Sequence, residues 1–148
     1  EDGITVDYVK VDDDIAVKDS LYTVGRRGVA GTVFVHKIAG AAAEAGKSLS
    51  EVKAIAEKAA ANVKSIGFAL TSCTVPAKGT PTFDIGEGEM EYGVGIHGEP
   101  GIRREPTATA AELASRMVDA LSQELALTGS ERVALLVNGL RGTPLMEL

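Results

Sequence analysis

The side chain best suited to chemistry in this sequence is His97, which lies in the glycine-rich stretch 89–101. Glycines flank it closely, at positions 93, 95, 98 and 101. Bulky neighbours therefore do not crowd the imidazole, and Gly98 and Gly101 can take positive φ angles. A histidine in this setting can act as a ligand, an acid–base group or a nucleophile. It can equally hydrogen-bond within its own loop, and the residue types alone leave both interpretations open.

A short strand is predicted immediately before this histidine, from about Met90 to Ile96. Val94 and Ile96 fall on one face of that strand by its two-residue period, with glycines on the opposite face. Glycine inside a strand usually marks a bulge or a close approach of backbone or ligand. The pattern therefore places His97 at the end of a strand, with open space around it.

The other chemical groups give weaker signals. Asp12, Asp13 and Asp14 are consecutive carboxylates that could hold a hard cation such as Mg²⁺ or cap a following turn or helix. Cys73 is the single cysteine. Most lone cysteines behave as small hydrophobic residues, and a catalytic nucleophile is the minor alternative. His36 falls beside the apolar face of a predicted helix, as a surface or boundary residue. Two histidines and one cysteine argue against a zinc site.

Arg103 and Arg104 follow the His97 stretch and form a basic pair. A solvated pair of cations is one interpretation, and attraction of a phosphate donor or of an acidic partner surface is the other. The sequence contains no P-loop motif, no dinucleotide-binding pattern that opens a helix, and no Gly-x-Ser-x-Gly motif. P-loop, dinucleotide and α/β-hydrolase chemistry are therefore not supported.

Composition and charge exclude several classes of protein. The chain has 148 residues, of which 45% are apolar and 24% charged, an ordinary globular composition. Its net charge of −6 argues against a nucleic-acid or anionic-membrane partner. No apolar run approaches the roughly 20 residues that a membrane span needs. A single cysteine fits a reducing compartment and the acidic first residues are unlike a secretory signal, so we expect a cytoplasmic location.

The first half of the chain predicts one strand and two helices. Residues 4–11 have the pattern of a buried strand. The helices run from about Val29 to Ala45 and from about Leu49 to Val63, and a capping box at Ser48 opens the second. Their short connection predicts an antiparallel pair. The predicted apolar faces are Ala30, Val33, Phe34, Ile38, Ala41 and Ala45 on the first helix, and Val52, Ile55, Ala56, Ala59 and Val63 on the second.

The second half predicts a sheet with a helix packed on it. Residues 66–70 are a predicted strand, and residues 82–96 are a predicted hairpin. A capping box at Thr109 opens a helix that runs to about Leu127. Residues 133–137 form a continuous apolar run, typical of a central buried strand. The predicted apolar face of the helix consists of Leu113, Met117, Leu121 and Leu125.

Together these elements predict an α/β fold with two lobes, residues 1–64 and 65–148, each a sheet packed with helices and the second a mixed sheet. The first lobe contains only one predicted strand, which cannot form a sheet by itself. The chain begins at Glu1 without an initiator methionine, and residues 143–148 look like the first turn of an unfinished helix. We therefore expect an incomplete fragment of a longer chain, whose stability depends on further sequence or on association.

Five segments resemble, in the same order, the substrate-binding K subunit or K domain of dihydroxyacetone kinases. They are residues 12–20, 25–30, 73–76, 93–101 and 137–140. The resemblance spans nearly the whole chain, and several matches in order are more specific than any one of them. It implies that His97 is the catalytic and substrate-binding residue, holding the ketone as a covalent hemiaminal. It also implies that residues 1–64 belong to the first K lobe and residues 65–148 to the second, which carries this histidine.

The resemblance further implies what lies outside this chain. No cofactor is expected on it, because ATP or ADP with Mg²⁺ binds to a partner L subunit or domain. The phosphate donor is either ATP or a nucleotide that the phosphotransferase system recharges, and these residues do not separate the two. The family's acid–base histidine and aspartate lie in an upstream segment that this sequence does not contain, so we expect the fragment to be inactive alone. We also expect a homodimer. The alternative function is that of relatives that bind dihydroxyacetone as co-activators of transcription regulators, without kinase activity.

Overall fold

The computed structural model describes residues 3–18, 25–71, 74, 76–81, 83–97, 99–139 and 142–148. Within these residues, helices and short strands form a mixed α/β fold. In chain order they are α1 (Gly31–Glu44), α2 (Leu49–Asn62), β1 (Phe68–Ala69), β2 (Glu89–Tyr92), β3 (Arg103–Pro106) and α3 (Ala110–Glu124), followed by a 3-10 turn at Leu145–Glu147. No helix in this described part is both long and apolar enough to cross a membrane. The division into two lobes stays a prediction.

Helices α1 and α2 pack against one another through small side chains. Val35 of α1 is buried against Ala56 and Ala60 of α2, and Val9 and Val11 pack partly buried against the same cluster. Alanine at the contact lets the two helix backbones approach closely. The result is a small aliphatic core, as expected for a chain with only 4% aromatic residues.

The predicted apolar face of α1 is wrong, although the helix itself lies close to its predicted bounds. Val33 and Ile38 are each 45% exposed, whereas the buried positions are Gly31, Val35 and Ala42. Apolar residues occur all round this helix, so their spacing does not single out one face. On α2 and α3 the predicted faces are confirmed, since each of their predicted residues is buried or partly buried.

Local capping boxes begin α2 and α3, as predicted. The side chains of Ser48 and Thr109 each accept a hydrogen bond from the backbone N–H three residues further on. Glu51 and Glu112 accept in return from the backbone N–H of their cap residue. Helix α1 differs, because Ala30 at its N-cap offers no side-chain hydrogen bond.

Asp13 caps α1 from a distant point of the chain. Its fully buried carboxylate accepts hydrogen bonds from the backbone N–H groups of Val29 at 2.8 Å and Gly31 at 2.9 Å. Backbone hydrogen bonds fix this segment beside Ser65, which donates to the Asp13 carbonyl at 2.8 Å and accepts from Ile15 at 2.9 Å. The start of α1 is therefore tied to the chain that leads into β1.

The three strands form one antiparallel sheet in the order β1-β2-β3. Tyr92 at the end of β2 lies opposite Phe68 of β1 and Arg103 of β3. The predicted antiparallel neighbours are confirmed, but the predicted hairpin 82–96 is wrong. No described residue of its first arm forms a strand, and Thr82 lies outside the described residues. The second neighbour of β2 is instead β3, a strand that the sequence patterns did not predict.

Two apolar runs predicted as strands, residues 4–11 and 133–137, form no strand in the structure. Ile4 is 76% exposed, Tyr8 83% and Leu135 72%. A strand is stabilised by hydrogen bonds to a neighbouring strand, and within the described residues neither run pairs with one. The apolar patterns identify segments that can form strands, but they do not show whether a neighbouring strand is present to pair with them.

Candidate functional site

Residues 93–101, here called the His97 loop, follow β2 and end just before β3. Gly93 takes a φ of 77° and turns the chain, so β2 ends at Tyr92 and the predicted extension to Ile96 is wrong. His97 lies in a turn within the loop, and its side chain is 84% exposed. The predicted open space around the imidazole is therefore confirmed, although its position directly at the end of a strand is not.

Backbone hydrogen bonds hold both ends of the His97 loop to the sheet. The N–H of Gly93 donates to the carbonyl oxygen of Gly67 at 2.7 Å. The N–H of Ile102 donates to the carbonyl oxygen of Tyr92, also at 2.7 Å. The loop thus starts and ends at fixed points of the same antiparallel sheet.

Gly101 is needed for close approach rather than for an unusual backbone angle. Its N–H donates to the buried carboxylate of Glu91 at 2.7 Å, and a Cβ at this position would contact the carbonyl oxygen of Tyr92. Gly93 has a positive φ in this loop, whereas Gly101 does not use its freedom to take one. Gly98 lies outside the described residues.

Glu99 contacts both the backbone and the ring of His97. Its Oε2 accepts a hydrogen bond from the His97 N–H at 2.9 Å, and its Oε1 lies 3.2 Å from His97 Nδ1. The backbone carbonyl of Glu99 accepts from the N–H of Gly95 at 3.0 Å. The carboxylate is only 19% exposed, beside an imidazole that is 84% exposed. When Nδ1 of the neutral ring donates to this carboxylate, Nε2 carries the lone pair.

The surroundings of Glu99 favour its ionised form. Partial burial acts to raise the pKa of Glu99, but hydrogen bonds from the backbone N–H groups of Glu99 and His97 and from the imidazole lower it, and the net shift is downward. Glu99 is therefore a carboxylate at neutral pH and can only accept hydrogen bonds. This is the state that the tautomer with a proton on Nδ1 requires.

A buried arginine contacts the His97 loop near both of its ends. Arg27 Nη2 donates to the carbonyl oxygen of Gly93 at 2.6 Å, and Nη1 donates to the carbonyl oxygen of Pro100 at 3.3 Å. Arg27 Nε donates to Asp14 Oδ2 at 2.7 Å, and the two side chains are only 8% and 4% exposed. Burial raises the pKa of Asp14, against the hydrogen bond from the Ala16 N–H and the charge of Arg27.

The other candidate residues that the structure describes do not contact His97. The Asp13 carboxylate accepts hydrogen bonds from backbone N–H groups at the start of α1, so the capping interpretation accounts for it. The Asp14 carboxylate accepts from Arg27. In the part of the chain that the structure describes, no group of three or more histidine, cysteine or acidic side chains is placed to hold a metal ion. His36 is exposed on α1, as predicted, and Cys73 lies outside the described residues.

Arg103 and Arg104 are both paired with carboxylates of the sheet. Arg103 Nε donates to Glu105 at 2.6 Å, and Arg104 Nε lies 3.5 Å from Glu91. The guanidinium carbon of Arg103 also lies 5.2 Å from the ring centre of Tyr92, within cation–π range. Both arginines are about half exposed, with side-chain exposures of 52% and 50%. Neighbouring carboxylates thus offset part of the charge of both arginines, and attraction of a phosphate donor or of an acidic partner surface stays a prediction.

Sequence reasoning singled out His97 as a candidate but missed the residues that contact its ring and its loop. Glu99 could have been found, because it lies only two residues from His97 and a turn brings such residues together. Arg27 could not have been found in this way, because it lies 66 residues from Gly93 in the sequence and contacts it only after folding. Asp14 was recognised as an acidic residue, but its partner was not.

The whole chain, residues 1–148, matches the model of the Dak1 domain family, and the protein therefore belongs to that family. It is 56% identical, over 146 residues, to the dihydroxyacetone-binding subunit DhaK of PTS-dependent dihydroxyacetone kinase 1 from Listeria innocua. That match covers 99% of this chain and 44% of the relative, so this chain spans less than half the length of the relative. The resemblance seen in the sequence motifs is confirmed.

Two solved structures share the fold. A dihydroxyacetone kinase operon co-activator, Dha-DhaQ, matches with a TM-score of 0.73 and 35% identity, over 84% of this chain and 38% of the co-activator. The dihydroxyacetone kinase of C. freundii in complex with AMP-PNP and Mg²⁺ matches with a TM-score of 0.67 and 42% identity, over 78% of this chain and 21% of the kinase. Both support the mixed α/β class.

Proposed function

We propose that this chain is the dihydroxyacetone-binding part of a dihydroxyacetone kinase, with His97 holding the ketone as a covalent hemiaminal. The observation that carries the proposal is the exposed imidazole of His97, paired through Nδ1 with the mostly buried carboxylate of Glu99. The substrate class comes from relatives such as the DhaK subunit of Listeria innocua. His97 is the substrate-binding and catalytic residue in this proposal.

Capture of the ketone begins from the neutral imidazole. The Nε2 lone pair of His97 forms a bond to the carbonyl carbon, and the π electrons of the carbonyl move onto its oxygen. The oxygen takes a proton from water, while Nδ1 gives up its proton to water through the adjacent carboxylate of Glu99, which ends ionised as it began. The net change is addition of N–H across the carbonyl double bond, and no other reactant is consumed.

A covalent bond suits so small a substrate. Dihydroxyacetone has few heavy atoms, and at about 1.5 kcal/mol for each atom its non-covalent binding energy has a ceiling of roughly 9 kcal/mol. The bond also gives selectivity, because glycerol has the same carbon skeleton but no carbonyl for the imidazole to attack. Shape and hydrogen bonding alone would separate the two molecules less sharply.

The phosphate donor belongs to a partner in this proposal. The name of the Listeria innocua relative supports a nucleotide recharged by the phosphotransferase system, and the C. freundii kinase structure contains AMP-PNP and Mg²⁺. We place that nucleotide on an L subunit or domain and none on this chain. We also propose a cytoplasmic homodimer, which sedimentation of the full-length protein tests.

A second candidate is a dihydroxyacetone-binding co-activator without kinase activity. The structural match to Dha-DhaQ favours it, with a TM-score of 0.73. A co-activator needs the ketone anchor but not an acid–base pair for phosphoryl transfer. The two candidates are separated by measuring phosphorylation of dihydroxyacetone by the full-length protein with a nucleotide-bearing partner, since only the kinase turns over.

The anchor is tested in crystals of the full-length protein soaked in dihydroxyacetone. We expect continuous density from Nε2 of His97 to the carbonyl carbon. His97→Ala and His97→Asn should both remove that density and weaken binding, because neither side chain is a competent nucleophile.

The matched control is His36→Ala, which changes the other histidine of the chain on the exposed surface of α1. It should bind dihydroxyacetone as the parent does. If His97→Ala bound the ketone as tightly as the parent, the imidazole would only hydrogen-bond within its own loop and the anchor assignment would be wrong.

A further inference from the structure

Arg27 links parts of the molecule that are far apart in sequence: the segment around Asp14, the approach to α1 and the His97 loop. Its guanidinium donates to the Asp14 carboxylate and to the backbone carbonyls of Gly93 and Pro100. These carbonyls lie on either side of His97 in the chain. We propose that Arg27 is a positioning residue that fixes the His97 loop for ketone capture, an inference that rests on the proposed function of His97.

The shape of the guanidinium explains why this position needs arginine. Its N–H groups form a rigid planar fork, so hydrogen bonds from Nη1 and Nη2 constrain the distance between the carbonyls of Gly93 and Pro100. A lysine ammonium is a single point of charge on a flexible stem and cannot reproduce the fork. The two ends of the loop would then no longer be held by one rigid group.

Burial makes these contacts hard to replace with water. The side chains of Arg27 and Asp14 are 8% and 4% exposed. Asp14 is itself oriented, because its Oδ1 accepts from the Ala16 N–H at 2.9 Å and its own N–H donates to the Arg27 carbonyl at 3.0 Å. Loss of the guanidinium leaves a buried carboxylate and two loop carbonyls without their donor, and the loop must rearrange to satisfy them.

The guanidinium of Arg27 and the carboxylate of Glu99 both lie close to the backbone of Gly95. A Cβ at Gly95 would lie 2.9 Å from Arg27 Nη1 and would contact Oε2 of Glu99 still more closely. The backbone at Gly95 is therefore packed against both groups. A shift of the loop away from Arg27 displaces Glu99, and through Glu99 it displaces the ring of His97.

The test is ketone capture by the full-length protein, followed by NMR with dihydroxyacetone labelled with ¹³C at the carbonyl carbon. Adduct formation moves that resonance from the ketone region to the region of tetrahedral carbons, and a titration gives the Kd. We expect Arg27→Lys to raise the Kd by about 10- to 100-fold, the effect of a small misplacement of a reacting group. Circular dichroism and thermal melting check that the variant is folded.

Arg26→Lys is the matched control. Arg26 is the adjacent arginine, and it pairs with Glu124 of α3 rather than with the His97 loop. This variant should capture the ketone with the Kd of the parent. An equal loss of capture in both variants would contradict a specific role for Arg27.

Chemical rescue separates positioning from general stability. In Arg27→Ala, millimolar methylguanidinium can enter the vacated site and should restore much of the adduct signal, with no such effect on the parent or on His97→Ala. If Arg27→Lys does not fold, Asp14→Asn decides the question, because it keeps the guanidinium but removes its charged partner. We expect a raised Kd in that variant as well.

The outcomes distinguish this inference from the proposed function. If the parent forms no adduct, the assignment of His97 fails. If the parent forms the adduct and Arg27→Lys or, where that variant is unfolded, Asp14→Asn forms it with an unchanged Kd, then Arg27 does not position the loop and the role of His97 stands. Absence of rescue in a folded Arg27→Ala would also overturn the inference.

Discussion

At the scale of single residues, the contact between His97 and Glu99 decides which ring nitrogen is available to a ligand. The carboxylate accepts from the backbone N–H of His97 through one oxygen and lies beside Nδ1 through the other. Because the carboxylate cannot donate, it selects the tautomer with a proton on Nδ1. In the neutral ring, the nitrogen that carries the lone pair is therefore set by a residue two positions away.

Glu99→Gln should weaken capture of dihydroxyacetone by about 10-fold, the lower end of what loss of an orienting partner costs. An amide offers one acceptor oxygen where the carboxylate offers two, so the His97 N–H and Nδ1 compete for it. Titration with labelled ketone measures the Kd, and ¹⁵N NMR of the imidazole reports the tautomer. Glu87→Gln, at an exposed position of the turn before β2, is the control and should change neither.

Glu99 also makes a pH-dependent contribution to stability. Its pKa is lower in the folded protein than its ordinary value of 4.5, so the ionised form is stabilised by folding. That contribution is fully present above the ordinary value and is lost as the pH falls through the lowered folded pKa. We expect the difference in unfolding free energy between parent and Glu99→Gln to shrink as the pH falls below the ordinary value of 4.5. Urea denaturation at several pH values measures it, and a difference that grew as the pH fell below 4.5 would contradict the assignment.

At the scale of elements, the N-terminus of α1 depends on a precise fit between Gly31 and Asp13. A Cβ at Gly31 would lie 2.6 Å from the Asp13 carboxyl carbon, so Gly31→Ala must displace the carboxylate that caps the helix. We expect a loss of about 1–3 kcal/mol in unfolding free energy, the usual range for overpacking of a close contact.

The control for Gly31→Ala lies in the same helix. Gly40 has open space where its Cβ would be, so Gly40→Ala should stabilise the protein by about 0.5–1 kcal/mol through its higher helix propensity. Thermal or urea denaturation compares the two variants. Equal effects of the same sign would show that the contact with Asp13 does not matter.

Helix α3 provides a test of a local cap. Thr109 accepts from the N–H of Glu112, so Thr109→Ala should cost about 1 kcal/mol of unfolding free energy. Thr107→Ala changes the same residue type at an exposed position just before the helix, outside the capping box. Denaturation curves that lose the same amount in both variants would contradict the cap.

The elements also show why some of the fold follows from sequence and some does not. The starts of α2 and α3 are encoded within four consecutive residues, from Ser48 and from Thr109, and both were predicted. The buried face of α1 depends on its packing against α2, and it was mispredicted. The partner strand β3 was also missed, because its residues Arg103–Pro106 are mostly charged and carry no apolar alternation. The same holds for the site: His97 stands out by its glycine neighbours, whereas Arg27 and Asp14 become partners of the loop only after folding.

At the scale of the whole molecule, two apolar runs, residues 4–8 and 133–137, are exposed and pair with no strand in the part of the chain that the structure describes. Extended, exposed apolar segments favour association with other chains. We expect the 148-residue chain to associate in a concentration-dependent way, as seen by sedimentation velocity. Val6→Lys and Leu135→Lys should reduce association and leave the unfolding free energy nearly unchanged, since these side chains are 80% and 72% exposed.

Ala114→Lys is the control for this experiment, because it adds the same charge at an exposed position of α3. It should leave association as it is in the parent. A chain that sediments as a monomer at all concentrations would show that the exposed runs do not govern association.

The cap that Asp13 provides to α1 has a consequence for the order of folding. Helices α2 and α3 carry their own caps and can begin to form before distant contacts exist. Helix α1 completes its first turn only when a carboxylate 18 residues from Gly31 docks, and bringing these two points of the chain together has an entropic cost. In pulsed hydrogen exchange during refolding, the amide of Gly31 should therefore become protected later than those of Glu51 and Glu112.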